Sequence, residues 1–525
     1  MENTIWSLVP PLLAILMVLI TKRVLVSLGV GIVAAAFFVG SFQLQESLRL
    51  IWDAFKGVFV VDGALNTWNI YILLFVLMLG IITAFVSMMG GAQAFGEWMI
   101  RRVKTRAGAQ IMTMILGVIV FVDDYFNSLT VGQVAKPVTD KHRISRAKLA
   151  YIVDSTSAPI CVVAPVSSWG AYIIGIIGTV FAAQSISDSE FTAFLQMIPM
   201  NFYVWSALGV VTIIALRQVD FGPMKVHEKR AIETGEVLDP NHKETIDSEA
   251  KLVTSQIGKI TDLVVPIAVL FLATIGFIYW SGYRALTGEE KTLIAIFGEA
   301  DVSEALFLGG AIGLLVTLSL FVRHLVQKQL TGKEFKNGFA FGAKSMLPGF
   351  SILIFAWAIV ALIDQLGTGV YLGEVVKDSN LSFALLPFIV FLMAGFIAFS
   401  TGTSWGAFAL LLPIGGQIAA ATDISLILPV MAAVLAGSVF GDHCSPISDT
   451  TILSSTGSSC HHIDHVTTQL PYALVAAGIA GFGYLALGLS GSVLLGLAMV
   501  FVGLAIFFAL CKKPRVMVEE EKIAK

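Results

Sequence analysis

Asp154-Ser-Thr-Ser-Ala-Pro-Ile-Cys-Val-Val-Ala-Pro-Val-Ser-Ser-Trp-Gly170 and Gly441-Asp-His-Cys-Ser-Pro-Ile-Ser-Asp-Thr-Thr-Ile-Leu-Ser-Ser-Thr-Gly457 read as one passage written twice. Pro159 falls on Pro446, Ile160 on Ile447, and Ser167, Ser168 and Gly170 on Ser454, Ser455 and Gly457. Each passage lies in an apolar run long enough to cross a bilayer. Proline, small residues and carboxylates in such runs predict helices that break and line a cavity, the way secondary transporters build ion and substrate sites. The duplicated broken helix points to transport.

Composition agrees. The 525 residues are 56% hydrophobic and 13% charged, against about 25% charged in soluble domains. The expected fold is an all-α polytopic membrane protein with about 11 transmembrane helices and two re-entrant hairpins, in two inverted-topology repeats with broken helices. A formal net charge of −3 argues against a nucleic-acid partner. The N-terminus lacks a basic region, so its first apolar run reads as a retained span rather than a cleaved signal. Cysteines at 161, 444, 460 and 511 have no CxxC spacing and suggest no disulfide framework.

Apolar windows predict spans at 5–20, 24–42, 66–89, 147–182, 195–216, 262–281, 303–322, 348–366, 427–457, 466–490 and 492–511. Window 107–135 has basic residues on both sides: Arg101, Arg102, Lys104 and Arg106, then Lys136, Lys141, Arg143, Arg146 and Lys148. Basic loops belong in the cytoplasm, so both ends face one compartment and the window reads as a re-entrant hairpin. Its tip is near Phe121-Val-Asp-Asp-Tyr-Phe-Asn-Ser128. Window 382–416, flanked by Lys377-Asp-Ser-Asn380 and by Gln417 to Asp423, is the matching hairpin from the outer face. Its tip is Phe399-Ser-Thr-Gly-Thr-Ser-Trp-Gly406. Gly117, Ile119 and Phe121 match Gly395, Ile397 and Phe399 at an offset of 278, while Phe55-Lys56, Phe59 and Ile72-Leu73 match Phe335-Lys336, Phe339 and Ile352-Leu353 at 280. Five crossings between Phe55 and Phe335 invert the second copy.

The predicted organisation is therefore a first repeat half over 1–216 (hairpin 107–135, broken helix 147–182) and a cytoplasmic hydrophilic linker over 217–261, read as a tether. A second half follows over 262–490 (hairpin 382–416, broken helix 427–457), then the last helix and cytoplasmic tail over 491–525, with Lys512-Lys-Pro-Arg515 inside.

Candidate ligands cluster at the tips and breaks. The first half supplies Asp123, Asp124, Asn127, Ser128 and Thr130 from the hairpin and Asp154, Ser155, Thr156 and Ser157 from the break. A carboxylate at mid-membrane costs roughly 3 kcal/mol or more on insertion scales and needs a cation, a proton or a basic side chain. Few Lys or Arg fall within the spans, and oxygen donors suit alkali or alkaline-earth ions. One aspartate of the pair could instead cap a half-helix. The second half supplies Ser400, Thr401, Thr403, Ser404, Asp442, His443, Ser445, Asp449, Thr450 and Thr451. Asp442 aligns with Ser155 rather than Asp154, so the two halves differ in acid content. Gly402 to Gly406 matches G-x-S-x-G, which means little away from a strand-turn-helix. Cys460-His461-His462-Ile-Asp464-His465 has zinc-ligand chemistry but reads better as a polar surface loop. Glu97, Asp364 and Glu374 sit at span ends and should face water.

Together Gly441 to Thr451, Phe121 to Ser128 and Asp154 to Pro159 resemble the NhaC family of bacterial sodium/proton antiporters, over about residues 5–510. The resemblance implies a moving transport domain against a scaffold, Na+ as transported or coupling ion, no further cofactor, a homodimer, and the bacterial inner membrane. It leaves two functions open: exchange of sodium for protons, or sodium-coupled movement of a small organic solute such as an amino acid or hydroxy acid.

Overall fold

The computed structural model describes residues 4–21, 23–240, 252–286, 291–368, 371 and 383–511. The linker stretch 241–251, the flank Lys377 to Asn380, Glu374 and Lys512 to Arg515 lie outside them.

Apart from one two-stranded ribbon, Val60–Val61 with Ala64–Leu65, the described elements are helical. The first half runs through α1 (Val9–Thr21), α2 (Val24–Val39), α3 (Leu44–Phe59), α4 (Thr67–Met89) and α5 (Gly91–Arg102). Next come α6 (Arg106–Ile119), α7 (Asp124–Lys141), α8 (Arg146–Ser155), short α9 (Ala158–Cys161), α10 (Ser168–Ala183), α11 (Glu190–Met197) and α12 (Phe202–Arg217). Helix α13 (Gly222–Thr234) belongs to the linker. The second half contains α14 (Thr261–Ala285), α15 (Leu293–Gly298), α16 (Val302–Val326), α17 (Gly332–Ser345) and α18 (Leu347–Gln365). It continues with α19 (Leu386–Thr401), α20 (Ser404–Thr422), α21 (Ile427–Cys444), α22 (Asp449–Ser458), α23 (His462–Ser490) and α24 (Val493–Leu510).

Ten of the described helices are long and apolar enough to cross a membrane. Two of these, α19 and α20, are hairpin arms; setting them aside and adding α1, α2 and the broken α8–α10 leaves eleven crossings among the described residues. The first hairpin returns to the end it left, because Arg106 at its entry donates to the Arg143 carbonyl beyond its exit at 2.8 Å. The second enters and leaves at the opposite end, with Ala384 against Gly488 near the end of α23 and Gly416 against Val180 near the end of α10.

The repeat is visible in the packing. Helix α4 lies against α16 and α17, and its counterpart α18 lies against α2 and α3. Phe335 of α17 meets Phe85 with ring centroids 5.3 Å apart, and Phe55 of α3 meets Phe355 at 5.1 Å. Five crossings separate α3 from α17, namely α4, α8–α10, α12, α14 and α16, so the second copy is upside down. The matched glycines have a shared purpose. A Cβ on Gly117 would lie 2.2 Å from Thr156 Oγ1, and one on Gly395 would lie 2.8 Å from Phe440. Each glycine lets the first hairpin arm press on the broken helix of its own half.

Two regions depart from the sequence reading. Helices α3 and α17 are amphipathic and fall outside every apolar window. The linker is more than a tether: α13 docks on the basic end of hairpin and broken helix, with Met224 and Ala231 buried. Glu228, 2% exposed, accepts from Arg106 and from the Ser145 backbone N–H. Lys148 of α8 pairs with Asp220, Arg143 donates to the Ile232 carbonyl at 3.1 Å, and the Arg146 N–H donates to the Val237 carbonyl at 2.9 Å. Charge too dense for an apolar core is tolerated because each buried charge meets its opposite.

Candidate functional site

Helix α6 stops at Ile119 and α7 starts at Asp124, so the first hairpin turns where helix ends leave backbone groups unpaired. Asp123 answers one of these needs: its carboxylate caps α7, accepting from the Phe126 N–H at 3.0 Å and from Ser168 Oγ at 3.0 Å. Asn127 answers the opposite need. Its amide donates to the carbonyls of Gly117 (2.7 Å), Val120 (3.0 Å) and Thr156 (3.2 Å), tying tip to break. Asp124, the next residue after the cap, is 2% exposed, and its Oδ2 has no partner within the protein. Asn127 Oδ1 is likewise unpartnered. A hydroxyl chain runs beneath, from Ser454 to Ser128 (3.2 Å), to Ser157 (2.9 Å), to the Asp124 carbonyl (2.8 Å). Thr156 bonds back to the Ile152 carbonyl at 2.9 Å, and Thr130 is buried nearby on α7.

The second half makes the mirror arrangement with acid and alcohol exchanged. There Ser404 stands on the hairpin and Asp442 on the broken helix. The Ser404 N–H (3.1 Å) and Oγ (2.7 Å) both donate to Asp442 Oδ2, leaving Oδ1 unpartnered. Ser445 fastens the break to the tip by donating to the Phe399 carbonyl at 2.7 Å. Ser448 caps α22 through the Thr451 N–H at 3.2 Å and pairs with Thr450 at 2.9 Å. Ser400 and Thr401 are spent on their own helix, donating to Phe396 and Ala398 carbonyls, and do not turn toward the carboxylates. Ser404 opens a helix that follows another helix, so the hydrolase-like pattern has no strand-turn-helix here.

The halves meet at one cavity of about 70 Å³, lined by Asp123, Asp124, Tyr125, Thr403, Trp405 and Asp449 together with the start of α18. Tyr125 donates its hydroxyl to Asp449 across the joint. Among its lining residues there is no Lys or Arg. Four half-helix N-termini are gathered around the tips and breaks, and side chains of the protein occupy all four. Asp123 takes α7, Ser167 takes α10, Asp442 takes α20 and Ser448 takes α22. The C-terminal ends of α6, α8, α19 and α21 also stop there, and their carbonyl ends carry partial negative charge. Unpaired carboxylate and amide oxygens, carbonyl ends and capped N-termini together suit a small cation and leave no built site for an anion.

Asp154 belongs to a neighbouring polar cluster. It is 1% exposed, and its Oδ2 accepts from Gln469 Nε2 (2.7 Å), Thr451 Oγ1 (3.1 Å) and His465 Nε2 (3.2 Å). His443 sits beside it, with Nδ1 2.7 Å from Tyr203 Oη and Nε2 3.3 Å from Ser155 Oγ. His465, Gln469 and Tyr203 are additions that sequence reasoning missed. His465 was expected in a polar surface loop, yet it is 0% exposed in the first turns of α23, and Cys460 is buried too. His462 bonds the Pro446 carbonyl at 2.6 Å. The signal available was the spacing of His465 and Gln469, four apart and so on one helix face. Glu97 and Asp364 lie on the surface.

Residues 160–489 match the Na+/H+ antiporter family, a span that includes the second hairpin and the second break but begins after the first hairpin and after Asp154 to Pro159 of the first break. An uncharacterized protein of Haemophilus influenzae is 40% identical over 515 residues, covering 98% of this chain and 96% of its own. The malate-2H+/Na+-lactate antiporter of Bacillus subtilis is 30% identical over 211 residues, 37% of this chain and 42% of that protein. The crystal structure of the Alcanivorax borkumensis YdaH transporter shares the fold, with a TM-score of 0.54 at 15% identity over 89% of this chain and 90% of that one.

Proposed function

The chain belongs to the Na+/H+ antiporter family, and we propose that it exchanges sodium for protons across the bacterial inner membrane by alternating access. The observation that carries this reading is the buried, unpartnered carboxylate oxygen of Asp124 at an acid-lined cavity, with further unpartnered oxygens on Asn127 and Asp442 at the hairpin and the second break. A volume of about 70 Å³ suits an ion with a few waters, each filling about 30 Å³ in the liquid. The buried polar core holds sodium in one phase of the cycle and a proton in the other. Hairpins and broken helices move against the remaining spans, and an electrogenic cycle gains about 2.3 kcal/mol per charge per 100 mV. A homodimer follows from the family resemblance.

A second reading, sodium-linked exchange of a small organic acid, draws on the Bacillus subtilis relative. It requires sodium itself as the counter-ion, because the α20 N-terminus that would cradle a substrate carboxylate already holds Asp442. Proteoliposomes with an internal pH dye separate the two. Sodium alone should drive saturable proton movement, and Asp124→Asn should abolish it in folded protein. Silence with sodium, broken by adding lactate, malate or an amino acid, would establish the second reading instead.

A further inference from the structure

We infer that sodium and the proton occupy different places: sodium the cavity beside Asp124, and the exchanged proton the Asp154–His465 pair. This rests on the antiport reading above and deepens it. Both members of the pair are inside the protein, at 1% and 0% exposure, and His465 Nε2 lies 3.2 Å from Asp154 Oδ2. With Nε2 turned to a carboxylate, the neutral ring carries its hydrogen there, and Nδ1 is the free basic nitrogen. Nδ1 has no partner within the protein, and neither has Asp154 Oδ1. Addition of one proton at Nδ1 converts a neutral ring beside a carboxylate into an imidazolium–carboxylate pair. Its departure restores the neutral ring, and no other bond changes.

The pair bridges parts of the fold that antiport must move relative to each other. Asp154 ends α8 at the first break, Thr451 belongs to α22 of the second, and His465 and Gln469 belong to the long unbroken α23. It also touches the sodium side without sharing its oxygens. Thr451 lies two residues beyond Asp449 on α22, and the Thr156 carbonyl, two residues beyond Asp154, holds Asn127. The other titratable groups facing the pair are His443 and Cys444 from α21, Tyr203 from α12, Asp449 from α22 and Tyr151 from α8. Tyr472 of α23 stacks on Tyr151 at 4.8 Å, with the Lys148–Asp220 ion pair at its hydroxyl. Of the two histidines in this group, His443 has both ring nitrogens engaged, which leaves His465 as the ring with a free nitrogen.

The test is His465→Gln, whose amide can keep the bond to Asp154 but cannot titrate. Two readouts are taken in proteoliposomes: exchange of radioactive sodium for sodium, which moves no proton, and sodium-driven proton flux against pH. The expected result is a split, with sodium–sodium exchange within about threefold of wild type and proton flux lost. Proton flux with the wild-type pH profile would overturn the inference, and so would joint loss of both activities in folded protein. If the Gln variant does not fold, His465→Asn is read the same way. Absence of sodium-driven proton flux in the wild type would instead sink the antiport reading, and this inference with it.

Discussion

Gly457→Ala tests whether the two halves meet as closely as the site requires. At this crossing α22, which carries Asp449, passes α7, which carries Asp124. A Cβ on Gly457 would lie 2.5 Å from the Ser128 carbonyl oxygen and 3.0 Å from Leu129 Cα, all backbone atoms. Ordinary contact begins near 3.4 Å, so the helices must part by about 0.9 Å. Overpacking of that kind costs about 1–3 kcal/mol. The Ser454–Ser128 hydrogen bond, now 3.2 Å, would be stretched past its limit, adding about 1 kcal/mol. If about 1–2 kcal/mol of this falls on sodium binding, half-saturating sodium rises roughly five- to thirtyfold. The assay pairs thermal unfolding in detergent with sodium-dependent proton flux. Gly478→Ala on α23, where an added Cβ meets nothing within 4 Å, is the control and should change neither. A Gly457→Ala protein with wild-type melting and wild-type sodium dependence would refute the packing argument.

Other substitutions follow the same reasoning. Asn127→Ala removes the one amide nitrogen that bonds two carbonyls at the end of the first hairpin arm and one at the break; orphaned carbonyls at about 1–3 kcal/mol each should lower the melting temperature by several degrees, read by tryptophan fluorescence. Tyr125→Phe deletes the hydroxyl bond to Asp449; at about 1.5 kcal/mol for a bond to a charged group, half-saturating sodium should rise about tenfold with the fold intact, measured by flux titration. Glu228→Gln leaves Arg106 without its buried partner, a loss of up to about 3–5 kcal/mol. Limited proteolysis should then cut within 217–240, and cleavage no faster than wild type would show that the strap is held by other contacts.

The parts of the fold legible in the sequence are those written twice. Proline and serine repeated at Pro159 and Pro446, and basic residues on both sides of window 107–135, mark breaks and hairpins because nothing else suits such residues in a membrane. The amphipathic α3 and α17 escaped because Glu46, Arg49, Asp53 and Lys56 in α3 lower its apolar average, although the Phe55 and Phe335 match pointed to them. Asp123 and Asp124 look equivalent in sequence; only the extended backbone at Asp123, φ −155° and ψ 136°, decides which one caps the helix. The partners of Asp154 lie some 300 residues away, and no local pattern reveals such pairing. The docked linker was hidden for the same reason, since Glu228 and Arg106 are neighbours only in space.

The central claim is that sodium binding and proton binding exclude each other within this buried polar core, so that binding one releases the other. Calorimetry of sodium binding to purified protein, repeated in buffers of different ionisation enthalpy, counts the protons released per sodium bound. The account predicts measurable release that grows as pH falls toward the range where the site fills with protons, and no sodium binding in Asp124→Asn. Sodium binding with no proton release at any pH would contradict it.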